Sequence, residues 1–159
     1  MLDQGQLNAL YQYGLSLTAD EMAAEDLLQS AIERLLKVKP RPKNVFAYTR
    51  KIIRNQFIDD CRRKKIIDFE PLEDHAPMLL DEHDLEKVII DQAIIQRLVA
   101  QLGNAEREVL FLWAVAGFTA NEIAKEIDAP RGTVLARLYR IKQKCQDYDE
   151  QYQIRGGGN

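Results

Sequence analysis

Apolar residues recur at helical spacing in two separate parts of the chain. In the first part, apolar positions at three- and four-residue steps run from Leu7 to Leu36, with a break predicted at residues 17–20. Two prolines within residues 39–44 predict the end of this stretch, because proline lacks a backbone donor and fixes φ. A further helix is predicted over residues 45–63.

The second helical part is predicted over residues 86–147. Its first apolar stripe covers residues 88–102, and the Gly-Asn pair at 103–104 predicts a helix end and a turn. The next helix is predicted over residues 105–115 and ends before Gly117. Since both parts of the chain follow the helical period, the predicted fold class is all-α.

The segment between the two parts, residues 66–92, has a different character. It contains two prolines, no sustained apolar period and a net charge of −8, so it is predicted to be an acidic linker. Residues 1–65 carry +4 and residues 93–159 carry +1, so the overall charge of −3 conceals a basic first half. The sequence thus predicts two small helical domains, 1–65 and 93–147, followed by a flexible tail at 148–159.

Composition bears on the expected location of the protein and on the state of its cysteines. The 159 residues are 46% hydrophobic, yet no apolar run approaches the roughly 20 residues of a membrane span. No basic start followed by an apolar block opens the chain, so no signal peptide is expected and the expected location is cytoplasmic, without membrane insertion. Cys61 and Cys145 belong to no CxxC motif, which favours free thiols over a disulfide.

Residues 118–144 have the pattern of a helix-turn-helix. Thr119 and Glu122 predict a capping box, a short turn follows at 128–129, and Pro130 suits the first position of a new helix. The apolar side of that helix holds Val134, Leu138 and Ile141. The opposite side is polar and basic and suits DNA, with Arg131 and Thr133 near its start and Ala136, Tyr139 and Arg140 further along. A helical hairpin with a solvated basic face is the alternative.

The run from Glu106 to Lys144 resembles region 4, the promoter-recognition domain of extracytoplasmic-function sigma factors, most closely in GTVLARLYR at 132–140. The resemblance implies that four residues read the −35 promoter element in the major groove: Leu135, Ala136, Tyr139 and Arg140. Leu135 and Ala136 offer only apolar contact, for instance to a thymine methyl group. Asp128 stands where the family usually has glycine, and aspartate tolerates the left-handed conformation of such a turn.

A second and independent resemblance lies in the first half of the chain. AEDLLQSAIERLLK at 24–37 and YTRKIIRNQFIDDCRRKK at 48–65 resemble region 2 of the same sigma factors. This resemblance implies that Glu25, Asp26 and Gln29 bind the coiled-coil clamp of the largest polymerase subunit. A purely local explanation is that the two carboxylates favour the helix N-terminus through its dipole.

The helix that follows resembles the element that melts and holds the −10 DNA. This task requires cations that follow the DNA backbone and surfaces that accept extruded bases. The resemblance assigns the binding of −10 DNA to Lys51, Arg54, Asn55, Asp59, Arg62 and Arg63. Residues 39–45 correspond to the base-capturing loop, with Lys43 and Asn44 as candidate contacts, although the loop is short, contains two prolines and has no aromatic residue. A solvated helix end is the alternative explanation of the basic run at 62–65.

No catalytic set, cofactor motif or metal-ligand spacing is visible, and His75 and His83 fit isolated surface residues of the linker. The sequence therefore predicts a non-enzymatic sigma factor that binds core RNA polymerase and promoter DNA, without a cofactor. The family also implies an anti-sigma factor as a partner. Two rival hypotheses are a stand-alone dimeric helix-turn-helix regulator and a protein-binding module of sigma-like shape.

Overall fold

The structure of the chain is a computed structural model that describes residues 1–64 and 99–156, with side chains through residue 147. The acidic linker and most of the helix predicted over 88–102 lie outside the described residues. Within them every regular element is helical, and the chain divides into two compact units, residues 1–70 and residues 71–159. The prediction of an all-α protein with two helical domains is confirmed.

The first unit contains three helices, which are α1 (Gln4–Thr18), α2 (Glu21–Lys37) and α3 (Val45–Arg63). Each of them packs against the other two. Burial of their apolar faces forms one core, made of Leu10, Tyr13, Leu17, Ala24, Leu27, Ala31, Leu35, Ile53, Phe57 and Cys61. This core agrees with the predicted stripe at Leu10, Leu27, Ala31 and Leu35. It also includes Tyr13 and Leu17, which lay outside that stripe, and it leaves Leu36 exposed.

The predicted break between α1 and α2 is confirmed at residues 19–20. Ala19 ends α1 in the left-handed conformation, with φ of 54°, and its N–H donates to the Leu15 carbonyl at 2.8 Å. Asp20 then caps α2, because its carboxylate accepts from the Met22 N–H at 3.0 Å. The two helices approach closely near this turn: a Cβ added at Gly14 would lie 3.6 Å from the Ala24 carbonyl oxygen.

The structure describes the second unit from residue 99 onward. It contains α4 (Asn104–Leu110), a π-helical turn (Phe111–Val115), α5 (Ala120–Glu126) and α6 (Arg131–Gly156). The helices α4 and α5 both pack against α6. The buried side chains in the described part of this unit are Leu102, Ala105, Val109, Leu112, Ala120, Ile123, Ile127, Val134, Ala136, Leu138, Ile141 and Cys145, together with the polar residues Glu108 and Arg137.

The helix predicted over 105–115 is present but changes form before it ends. Its last five residues adopt a π-helical turn, in which the Ala116 N–H donates to the Phe111 carbonyl at 3.0 Å. Gly117 then takes a φ of +73°, which a glycine adopts without steric cost. The predicted end of the helix at this glycine is confirmed.

Helix α6 is longer than the sequence analysis predicted. It continues to Gly156, whereas the domain was predicted to end at residue 147 and to be followed by a flexible tail. The assignment of 148–156 to a tail is corrected to helix. The tail was predicted from the glycine-rich end of the sequence, and the described helix reaches Gly156, the first of those glycines. Both cysteines are free and buried, in agreement with the thiol prediction.

Candidate nucleic-acid interface

The helix-turn-helix is built from α5, a four-residue turn and α6. Thr119 and Glu122 form the predicted capping box: the Thr119 hydroxyl accepts from the Glu122 N–H and the Glu122 carboxylate accepts from the Thr119 N–H, both at 3.2 Å. In the turn, Asp128 has a φ of 53°, as expected for a residue at the family's glycine position. The Ala129 N–H donates to the Ala124 carbonyl at 3.0 Å and closes the end of α5.

The second helix of this motif begins one residue later than predicted. Pro130 lies just before α6, and its carbonyl accepts from the Thr133 N–H at 3.0 Å. Pro130 therefore occupies the capping position rather than the first helical position. Arg131 and Thr133 lie in the first turn, where the positive end of the helix dipole favours a phosphate.

The predicted −35 contacts differ in how accessible they are. Arg131 is exposed, while four others are half-buried and reach the surface with part of their side chains: Thr133, Leu135, Tyr139 and Arg140. Ala136 is only 4% exposed and packs inside the unit. Its placement on the outer face is therefore wrong, because α6 is covered over a wider arc than the apolar side chains alone indicated. Arg137, beside it, is buried as well.

The predicted −10 residues of α3 share one face of the helix. Lys51, Asn55, Asp59 and Arg62 follow each other at steps of four, four and three, and all are exposed. Arg63 is exposed too, and Arg54 is half-buried. The structure thus brings the members of this set together along α3. Arg50, by contrast, is buried, with its guanidinium 5.3 Å from the centre of the Phe46 ring.

Residues 38–44 form the loop between α2 and α3. Lys43 and Asn44 are both exposed, as a DNA contact requires. Asn44, however, caps α3: its side-chain oxygen accepts from the Ala47 N–H at 3.0 Å. A base that took this oxygen would remove the cap, which contributes about 0.5–2 kcal/mol to a helix. The sequence analysis did not recognise this role, although Asn before an apolar helix is a common capping signal.

The predicted polymerase-binding residues lie on the outside of α2. Glu25, Asp26 and Gln29 are exposed, on the side opposite the buried stripe of that helix. The ring of Tyr11, on α1, is near this face. Partial desolvation, followed by the nearby carboxylates of Glu21 and Glu25, raises the pKa of the Tyr11 hydroxyl above its usual value.

Two exposed apolar residues flank this acidic face. Leu36 was predicted to belong to the apolar stripe, and Met22 was given no role. Met22 is 75% exposed at the start of α2 and Leu36 is 52% exposed near its end. Both lie outside the buried stripe of the helix, so the assignment of Leu36 to that stripe is corrected. Met22 departs from the apolar period, and that departure is the signal that could have identified it. An acidic centre with apolar ends is suited to binding a protein rather than DNA.

Within the described residues, no three His, Cys, Asp or Glu side chains come together as metal ligands. None of the described helices combines the length and apolar content that a membrane crossing requires.

Comparison with protein families matches both units. Residues 5–66 match the family model of Sigma-70 region 2, and residues 92–145 match that of Sigma-70, region 4. These two segments together cover more than half of the chain, in the order that sigma factors have. The chain belongs to the sigma factor family, in its extracytoplasmic-function group.

Individual relatives agree with this assignment. The chain is 26% identical over 145 residues to the ECF RNA polymerase sigma factor SigE of Mycolicibacterium smegmatis, covering 87% of this chain but only 56% of that relative. It is also 26% identical over 137 residues to SigL of Mycobacterium tuberculosis, covering 82% of this chain and 76% of SigL.

A solved structure has the same fold. It is the sigma factor RpoE in complex with the anti-sigma factor NepR from Bartonella quintana, with a TM-score of 0.59 and 23% identity. The match covers 91% of this chain and 92% of that one. At this identity the likeness concerns the fold.

Proposed function

We propose that this chain binds core RNA polymerase and directs it to a set of promoters, with the first unit at the polymerase and the −10 element and the second at the −35 element. The observation that carries the proposal is the order of the two regions, each of which has charged residues at its surface. The chain would supply recognition and no chemistry of its own, and it would act in the cytoplasm.

The polymerase would bind the outer face of α2. Carboxylates at Glu25 and Asp26, with the amide of Gln29 one turn further on, meet cations of a partner helix without desolvating a buried charge. Met22 and Leu36 supply apolar area at the two ends of the same helix. The charges would thus orient the partner, and the apolar ends would contribute most of the affinity.

The −10 DNA would lie along α3. Lys51, Arg62 and Arg63 are exposed cations suited to the phosphate backbone. Asn55 and Asp59, between them on the same face, can hydrogen-bond to the exposed edges of separated bases. Placing both kinds of group on one helix face lets a melted strand contact them in sequence.

The −35 element would be read by α6, with its first turn on phosphates. Arg131 and Thr133 lie at that turn, while Tyr139 and Arg140 reach the surface further along the helix. Leu135 can contact a thymine methyl group. Ala136 has no part in this surface, since it is buried within the unit.

An anti-sigma factor is a further proposed partner. The structurally similar RpoE was solved in complex with one, NepR. Such a partner would inhibit this chain by covering the outer face of α2 or the DNA-facing sides of α3 and α6. The stand-alone dimeric regulator is not favoured, because the region 2 match covers the segment that this hypothesis reserves for dimerisation.

The proposal is tested by co-elution of the full chain with sigma-free core polymerase of the same organism. We expect the wild-type chain to bind and the Asp26→Arg, Gln29→Ala double variant to lose binding. The matched control is the Asp147→Arg, Gln12→Ala double variant, which makes the same chemical changes at exposed positions outside α2. It should bind like the wild type.

Failure of the wild-type chain to bind its own core polymerase would refute the proposal. Sedimentation of the free chain as a dimer would then favour the stand-alone regulator. Binding of the test variant equal to that of the wild type would instead place the polymerase surface elsewhere than α2.

A further inference from the structure

Two charged side chains are buried in the described part of the second unit. Glu108 of α4 is 0% exposed and Arg137 of α6 is 8% exposed, whereas the other described Asp, Glu, Lys and Arg residues of this unit reach the surface at least in part. Charged groups are almost never fully buried unless they are paired, because it is costly to remove a charge from water. Both side chains therefore require compensation inside the unit.

The two residues lie on the buried sides of helices that pack against each other. Glu108 follows the buried residue Ala105 by three positions, which is one turn along the same side of α4. Arg137 follows Val134 by three positions and precedes Ile141 by four, and both of these are buried on α6. Since α4 packs against α6, the inner sides of these two helices carry one charge each, of opposite sign.

Among the described carboxylates of this unit, Glu108 is the one best suited to neutralise Arg137. Neither of the two residues is without an interaction partner. The Glu106 carboxylate is 2.7 Å from the Lys144 ammonium, and the Glu122 carboxylate accepts from its own helix cap. The remaining described carboxylates reach the surface: Glu126, Asp128 and Asp147. An ion pair of residues 108 and 137 leaves neither buried charge uncompensated.

Arg137 lies in the middle of the segment that is proposed to read the −35 element. Leu135 precedes it by two positions, and Tyr139 and Arg140 follow it by two and three, each with part of its side chain at the surface. A rotation of α6 about its axis would displace these side chains from the base edges. Apolar packing resists such a rotation weakly, because the hydrophobic effect has no direction, whereas a guanidinium presents its donors in a fixed plane.

We infer that Glu108 and Arg137 form a buried ion pair that positions α6 for reading the −35 element. The inference rests on the proposed function, since it assigns a role to residues behind the proposed reading surface. Both are positioning residues: they contact no DNA and act through the orientation of α6. Recognition contacts need side chains held within about 0.5 Å and 10–20° of their productive geometry, and a directional buried contact between α4 and α6 supplies that constraint.

The existence of the pair is tested by a double-mutant cycle of Glu108→Met and Arg137→Met in the full chain. Each single variant leaves one buried charge uncompensated, so each should unfold at a lower urea concentration than the wild type. The double variant replaces both charges by apolar side chains, and it should be less destabilised than the sum of the two single variants. Losses that simply add would show that the two side chains do not contact each other and would overturn the inference.

The positioning role is tested with holoenzyme reconstituted from the full chain and core polymerase. The quantity is the ratio of affinities for a promoter and for the same promoter with one −35 base pair changed. A smaller folded fraction lowers both affinities equally and leaves the ratio unchanged. We expect the double methionine variant to lower the ratio by about threefold or more. Arg137→Lys keeps the charge without the planar fork and should also lower the ratio. An unchanged ratio in either variant would overturn the inference.

The matched control is the Glu106→Met, Lys144→Met double variant, which removes an ion pair between the same two helices. That pair is partly exposed and lies beyond the reading segment, so the ratio should equal that of the wild type. An equal fall in the control would overturn the assignment to the buried pair. A wild-type holoenzyme without any −35 preference refutes the proposed function. A wild type that discriminates, with an unchanged ratio in the Arg137 variants, refutes the inference alone.

Discussion

The ammonium of Lys144 lies 2.7 Å from the Glu106 carboxylate, which joins two helices of the second unit across 38 residues of sequence. Glu106 is in the first turn of α4 and Lys144 is in α6. Glu106 is 13% exposed and Lys144 is 39% exposed, so the pair is partly withdrawn from water. The same two helices contribute to a buried apolar cluster: Ile141 and Cys145 of α6 pack with Leu102, and Leu110 of α4 packs against them.

This ion pair should couple α4 to α6 measurably. In a double-mutant cycle of Glu106→Gln and Lys144→Gln, we expect a coupling of about 0.5–1 kcal/mol in the free energy of unfolding, the upper part of the range for ion pairs in contact with water. Urea unfolding of the full chain at low and high salt measures it, and the coupling should weaken at high salt. A coupling of zero at low salt would show that the pair does not stabilise the unit.

The turn between α1 and α2 contains a strained residue. Ala19 has a φ of 54°, a conformation that its Cβ disfavours and that glycine adopts freely. We expect Ala19→Gly to raise the free energy of unfolding by about 0.5–1 kcal/mol, as measured by urea unfolding. The matched control is Ala9→Gly inside α1, which should lower it by about 1 kcal/mol. Destabilisation by both substitutions would contradict the left-handed assignment.

Asn44 should act through its cap rather than through a base. We expect Asn44→Ala to lower the free energy of unfolding by about 1 kcal/mol, because the Ala47 N–H loses its acceptor. Asn44→Ser should retain most of the stability, since serine caps nearly as well, and it should retain promoter affinity. The measurements are urea unfolding and promoter binding by reconstituted holoenzyme. Loss of promoter affinity in a stable Asn44→Ser variant would show that the amide contacts DNA.

The thiol of Cys145 should make the second unit sensitive to alkali. Burial raises the pKa of this thiol from 9.0 to about 11, because the thiolate would be poorly solvated. The folded protein therefore holds the proton more tightly than the unfolded one. This contribution to stability is complete below pH 9 and is lost as the pH rises toward 11.

The control for this effect is Cys145→Ala, which removes the titrating group. The difference in free energy of unfolding between the wild type and this variant should shrink from pH 8 to pH 11, measured with reductant present. A difference that stays constant over this range would show that Cys145 does not titrate in a buried environment.

Local features of the fold were predictable because local chemistry decides them. The break at residues 19–20, the helix end at Gly117 and the capping box of Thr119 and Glu122 all follow from residues within one turn of the event. Features that depend on distant neighbours were not predictable. The burial of Arg50 beside Phe46 is an example, since a basic residue on a helix is ordinarily exposed.

The residues of the candidate site also fall into two groups: positions that local spacing predicts and positions that it does not. The exposed positions of Glu25, Asp26 and Gln29 follow from the apolar period of α2, because a stripe that is buried defines the side that is not. Ala136 shows the limit of that argument. Alanine is small and only weakly apolar, so its side of a helix is set by what packs against it, and the structure buries it.

The sequence by itself determined that this protein is helical, that it has two units separated by an acidic segment, and that it resembles sigma factor regions 2 and 4. These properties depend on the spacing of apolar residues, on composition and on local motifs, all of which can be read from the sequence. Only the tertiary structure decided which polar residues are accessible: it buried Ala136, committed the Asn44 oxygen to a cap, and enclosed Glu108 and Arg137 within the second unit. The physical reason is that accessibility and pairing depend on neighbours that are distant in sequence and meet only when the helices pack.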